Sequence, residues 1–129
     1  MNRLFDYLLL GLAGGVGTLL RAGCVTLAVR LAGAESGWAP QAATLAVNVI
    51  GSFAFGSLFA LAQSRPLLSS AQQACLFVGL LGGFTTYSSF AFQTVELAQN
   101  GRAVAAAAYV AATTALAVGA AWLGLRLFS

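Results

Sequence analysis

Apolar residues run through this chain in four long stretches, separated by short segments where arginine, glycine, proline and other polar residues collect. A helix needs about 20 residues to cross a hydrocarbon core, so the pattern predicts four transmembrane helices, at about 5–31, 38–63, 66–97 and 101–127, and no soluble domain. The first stretch carries Arg21 in its interior and ends in no small-residue cleavage pattern, so it is expected to stay in the mature protein rather than leave as a signal peptide.

Composition sharpens this reading. Of 129 residues, 60 % are apolar and 7 % are charged, too little polar surface to cover a soluble domain. The fold class expected is an all-α integral membrane protein. Cys24 and Cys75 stand singly in apolar stretches, and no histidine is present to complete a metal site with them. They read as small packing residues. A net charge of +3 is too sparse for a nucleic-acid surface and is better read as a topology signal. That signal is nearly balanced. With the amino terminus inside, Arg3, Arg65 and Arg126 face one side and Arg30 and Arg102 the other, while Arg21 lies within the first helix. Such a count hardly orients a chain. Either the protein simply has few arginines, or its copies insert in both directions.

Polar positions at helical spacing come next. In the first helix Gly11 and Gly15, with Gly14, Gly17 and Thr18, form a small-residue face suited to close helix packing. In the second, Thr44, Asn48 and Ser52 are spaced by four and make one polar stripe near Gly51 and Gly56. A carboxamide at mid-membrane needs water or a partner, which places Asn48 on a pore or at an inter-helical hydrogen bond. In the fourth helix Tyr109 and Thr113 share a face that Ala117 ends, and Thr114 points elsewhere.

The third stretch is interrupted. From Pro66 to Val95 no side chain is charged, yet residues 82–90 read GGFTTYSSF. Gly82 and Gly83 weaken a helix at that point, and the hydroxyls of Thr85 and Thr86 can satisfy the backbone groups set free. A broken helix is expected. The carbonyls at such an end carry the negative pole of the helix dipole and suit a small cation. Beyond the break Tyr87 and Phe90 face the same way. Their ring edges are electropositive and can line an anion path without offering a fixed opposite charge, with Ser88 and Ser89 adding hydroxyl donors. Packing against lipid or core is the alternative use of the same rings.

GGFTTYSSF resembles the third-helix motif of the Fluc (CrcB) family of fluoride channels, a Gly-Gly-x-Thr-Thr-Phe-Ser-Thr-Phe type pattern. GTLLR at Gly17 to Arg21 and TLAVNVIGSFAFG at Thr44 to Gly56 are similar to that family's first and second helices, in order and spacing, so the resemblance covers the whole chain. It implies a dual-topology, antiparallel homodimer in the bacterial inner membrane, with two fluoride pores along the subunit interface and a buried structural sodium ion. Carried over by position, backbone carbonyls of Gly82 and Thr85 from both subunits would hold the sodium. Tyr87 and Phe90 would form the aromatic box, Asn48 the pore amide, and Tyr109 and Thr113 the polar track. Ser88 joins the fluoride path as a donor, and Arg21 matches an arginine that favours the anion near a vestibule. Three positions depart from the family: Tyr87 stands for the usual phenylalanine, Ala117 for a frequent serine, and Gln93 where some relatives carry glutamate.

The function implied is passive export of fluoride from the cytoplasm. Dehydrating a small anion costs many kcal/mol unless donors replace its water, and hydroxyls, an amide and ring edges can do so in steps. The acids, Asp6, Glu35 and Glu96, all lie near ends or loops, outside the pore-lining set. A proton-coupled small multidrug transporter would need a membrane-embedded acid in the first helix, which is absent. Without histidine, mid-membrane acid or paired cysteines, enzymatic acid–base and metal chemistry lack their usual groups, so no enzyme is expected. A non-transporting membrane anchor or assembly subunit remains the alternative, opposed only by the third-helix motif.

Overall fold

The computed structural model describes residues 3–33, 36–64 and 68–129. Four helical spans, each long and apolar enough to cross a membrane, follow one another along the chain. They are α1 (Arg3–Ala32), α2 (Ala39–Ser64), a composite third span (Ser70–Gln99) and α6 (Ala103–Phe128). The third span is built from α3 (Ser70–Ala74), a π-helical segment (Cys75–Leu81), α4 (Gly82–Phe84) and α5 (Tyr87–Gln99). The expected all-α architecture and broken third helix are both present, with no strand among the described residues. The expected start of the third helix at Pro66 and the loop charges Glu35 and Arg65 lie outside the described residues.

Local chemistry sets the ends of these elements. Ser69 and Gln72 form a reciprocal capping box at the start of α3: Gln72 N donates to Ser69 Oγ at 3.3 Å, and Ser69 N donates to Gln72 Oε1 at 2.8 Å. After α5 the chain reverses at Gly101, whose φ of 74° is open to glycine at little cost. Arg102 N then reaches back to Leu97 O at 2.9 Å, and the chain enters α6. The Arg102 guanidinium stacks 4.1 Å from the Trp38 ring and ties the starts of α2 and α6 together.

Inside a bilayer, burying an apolar face gains little over lipid, so close packing at small residues must hold helices together. α2 and α6 run in the same direction and form the most extensive contact. A Cβ at Gly56 would collide with Ala121 O, and one at Gly124 with Phe53 O, so both backbones approach as closely as glycine permits. α1 packs against the third span in the same manner: a Cβ at Gly17 would strike Leu80 O, and one at Gly83 would strike Gly14 O. Gly11 and Gly15 meet nothing, so only half of the small-residue face of α1 is a packing seam. Leu8, Leu12, Leu19 and Leu27 of α1, and Val104 and Val118 of α6, remain exposed as an apolar outer surface. Phe90, Leu97, Ala106 and Tyr109 form a small buried cluster between α5 and α6, with Leu45 of α2 packed on it.

The break lies slightly beyond the glycines. Gly82 is helical, with φ −64° and ψ −37°. Thr85 (φ −81°, ψ 159°) and Thr86 (φ −148°, ψ 118°) are extended. β-branched residues favour extended backbone, and their hydroxyls can stand in for the missing helical bonds, so the threonines make the interruption. Gly83 instead serves the approach of α1.

Candidate functional site

At the break each freed backbone group meets a particular partner or none. Leu81 O accepts from both Thr85 N and Thr85 Oγ1, each at 3.0 Å. Gly83 O accepts from Arg21 Nε at 3.1 Å. Asn48 of α2 bridges the gap from the other side: its Nδ2 donates to Thr86 O, and its Oδ1 accepts from Thr86 N. Thr86 Oγ1 caps α5 by accepting from Ser89 N at 3.2 Å. Among the described residues, the carbonyls of Gly82, Phe84 and Thr85 receive no hydrogen bond across the break. They are the negative end of a helix terminated at membrane depth. Gly82 is moreover exposed, with nothing packed where its side chain would be except Phe77 O at 3.6 Å.

Beside the break lies a cavity of about 390 Å³ between α2, α5 and α6. Asn48 and Ser52 line it from α2, Thr85, Thr86, Tyr87 and Phe90 from the third span, and Thr113 from α6. No charged side chain borders it among the described residues. One donor is available there, and a second hydroxyl is enclosed by protein in its wall. Asn48 Nδ2 carries a second N–H beyond the one given to Thr86 O. Thr113 is 5 % exposed, and its Oγ1 has no hydrogen-bond partner among the described residues. A buried hydroxyl without a partner costs roughly 1–3 kcal/mol, so its retention calls for an explanation.

The aromatic residues meet at steep angles, Tyr87 and Phe90 edge to face and Phe90 and Tyr109 tilted. Tyr87 and Phe90 have ring centroids 5.5 Å apart at 60°, and Phe90 and Tyr109 follow at 5.3 Å and 55°. Phe90 is buried, at 7 % exposure, whereas Tyr87 is 80 % exposed and projects from the chain. Ser88 is also exposed and sits 3.4 Å from Thr86 Oγ1.

Tyr109 and Thr113 share a face of α6 but use it differently. The Tyr109 hydroxyl donates to Gln93 Oε1 at 2.7 Å, and Gln93 Nε2 donates to Thr44 Oγ1 at 3.1 Å. Thr44 therefore turns to Gln93, while Asn48 and Ser52 of the same polar stripe turn to the first cavity. Arg21 does not border that cavity. It lines a second one, also of about 390 Å³, with Thr18, Thr44, Thr86, Ser89 and Gln93, so that Thr86 stands in the wall between the two. The helical spacing of three and four marked Asn48, Phe90 and Thr113 but not Thr86, whose position just before the first turn of α5 is the cap signal that could have found it. Gln93 was visible in the sequence only as a departure from a glutamate; its bridging of Thr44 and Tyr109 spans three helices.

The family described as CrcB-like protein, Camphor Resistance (CrcB) matches residues 8–125. A protein of Allorhizobium ampelinum named fluoride-specific ion channel FluC is 42 % identical over 123 residues, covering 95 % of this chain and 94 % of its own. Proteins of the same name are similar in Rhizobium etli, at 38 % over 121 residues and 93 % of each chain, and in Sorangium cellulosum, at 40 % over 116 residues, 90 % of this chain and 88 % of that one. The match runs through all four spans and both halves of the interrupted helix, and the chain belongs to the CrcB-like protein family.

Proposed function

We propose that this protein is a fluoride channel of the bacterial cell membrane, passing the ion passively out of the cytoplasm. The observation that carries the reading is the cavity whose described lining is uncharged and to which the Phe90 ring and Asn48, with its spare N–H, both belong. A small anion leaving water needs donors at each station and no tight fixed charge to trap it. An amide on α2 and electropositive ring edges on the third span meet that need from two sides of the cavity. The first turn of α5 borders the same space, and its Tyr87 and Ser88 amides have no protein acceptor among the described residues, adding the positive pole of a helix. The relatives named as fluoride-specific channels support the choice of ion.

The working form proposed is an antiparallel homodimer with a pore on each side, around one structural sodium ion. Exposure of Gly82, Tyr87 and Ser88 on one monomer supports an interface there. The chemistry of the break fits sodium: the Gly82 and Thr85 carbonyls are hard neutral oxygen donors without hydrogen-bond partners, and no cluster of His, Cys, Asp or Glu offers a rival site among the described residues. When bound, the cation neutralises two helix ends that would otherwise face each other across a two-fold axis. Tyr87 of one copy would then meet the cavity of the other.

Purified protein in liposomes, loaded with fluoride or with chloride as control, tests the reading. Fluoride efflux without chloride efflux is the expected result. A folded protein that passes neither ion would favour the anchor or assembly-subunit alternative, and equal passage of both would remove fluoride selectivity.

A further inference from the structure

A helix that stops inside a membrane leaves carbonyls that hydrocarbon cannot satisfy, so every group that reaches the end of α4 matters to its shape. Among the described residues, Gly83 O is the one carbonyl of α4 bonded by a side chain from another span: Arg21 Nε lies 3.1 Å away, across 62 positions of sequence. The approach is prepared by the glycines around it. Gly17, one helical turn before Arg21, is buried against Leu80 O, and Gly83 has no Cβ to hold Gly14 away. The two backbones touch within a turn of the arginine. Arg21 uses Nε for this bond, its remaining N–H groups make no hydrogen bond among the described residues, and the residue also lines the second cavity.

We propose that Arg21 is a positioning residue that splints the break: its Nε–H fixes the Gly83 carbonyl, and the bond, more than the charge, is what the structure requires at this position. Asn48 closes Thr86 and the Thr85 side chain closes Leu81 O, so Arg21 supplies the third fastening and supplies it from α1. With Gly83 O occupied, the carbonyls left for a cation are Gly82 O before it and Phe84 O and Thr85 O after it. That last consequence rests on the sodium reading above; the splint itself does not.

Side-chain geometry separates bond from charge. Gln Nε2 stands the same number of bonds from Cα as Arg Nε and carries no charge, so Arg21→Gln can keep the bond to Gly83 O. Arg21→Lys keeps the charge but places a carbon at the Nε position, with the ammonium one bond further out. Arg21→Met removes both. The test is hydrogen–deuterium exchange of the amides from Phe84 to Tyr87 in the full-length protein in lipid nanodiscs, in sodium and in N-methylglucamine buffer. Loss of one charge-assisted bond to a carbonyl predicts about tenfold faster exchange in the Lys and Met variants, with Gln within about twofold of the parent. Protection in Lys equal to the parent, with fast exchange in Gln, would overturn the proposal in favour of charge. Equal exchange in all variants, or fast exchange in Gln and Lys alike, would overturn it too. Should the Met variant fail to fold, the Gln and Lys pair decides alone. A parent protein whose exchange ignores sodium would count against the sodium reading, and the ranking of variants would still decide the splint.

Discussion

Asn48 and Thr86 are joined twice across 38 positions of sequence: Asn48 Nδ2 donates to the Thr86 carbonyl at 3.0 Å, and Asn48 Oδ1 accepts from the Thr86 amide at 2.8 Å. One carboxamide thus replaces both hydrogen bonds that a continuous helix would have supplied there, and retains one N–H for the cavity. Asn48→Asp keeps the size and the acceptor but sets a carboxylate oxygen against Thr86 O and adds negative charge to an anion path. Thermal stability should fall by about 1–3 kcal/mol, and fluoride efflux from liposomes should drop sharply. Unchanged efflux through the aspartate variant would remove Asn48 from the path.

Phe90 touches Tyr87 edge to face and Tyr109 by a tilted ring contact. Phe90→Ile keeps apolar bulk and deletes the electropositive ring edge, so a fall in efflux with little change in melting temperature would assign the effect to the quadrupole. Tyr87→Phe, at a residue that is 80 % exposed in the monomer, should conduct like the parent. Normal conduction by the isoleucine variant would dissolve the aromatic-box assignment.

Thr113→Val removes the buried hydroxyl that finds no partner and keeps the shape. A structural hydroxyl would be missed in the stability measurement, whereas an unpartnered one should not be. The expected outcome is stability equal to the parent or greater by about 1 kcal/mol, together with slower efflux. Destabilisation with unaltered efflux would show Thr113 to be a packing residue only.

Gly17 and Gly15 stand two positions apart in α1 and should answer alanine oppositely. Gly17→Ala drives a methyl into Leu80 O and should cost about 1–3 kcal/mol. Gly15→Ala meets open space and should be neutral or stabilising by about 0.5–1 kcal/mol through helix propensity. Thermal denaturation of the two variants in the same detergent measures both.

The near balance of arginines bears on orientation. Two or three lysines added to the loop after α2 should force single-orientation insertion and abolish activity, and co-expression with a variant biased the other way should restore it. Full fluoride resistance from a singly biased variant, shown by accessibility labelling to insert one way, would exclude the antiparallel dimer and its shared cation site.

Much of this was already written in the chain. Spans of 26 to 30 residues follow from runs of apolar side chains, because crossing length and helical rise are local properties that need no knowledge of neighbours. The position of the interruption followed to within two or three residues, since Thr85 and Thr86 carry their own replacement donors and acceptors next to the backbone they serve. The family match, too, runs along the sequence from residue 8 to residue 125.

Other features depend on how distant helices turn toward one another. Gly14, Gly17 and Gly83 form a seam while Gly11 and Gly15 do not, although their spacing in the sequence is alike. Thr44 parts from Asn48 and Ser52 because Gln93, on a different helix, lies within reach of one and not the others. Arg21, read from its charge, suggests an anion; placed against a glycine backbone, it meets a carbonyl instead. Helical periodicity specifies which residues share a face, but the rotation and closeness of two faces are set by packing across the whole bundle. Only the folded chain therefore decides which polar atoms are used up at the break and which remain for an ion.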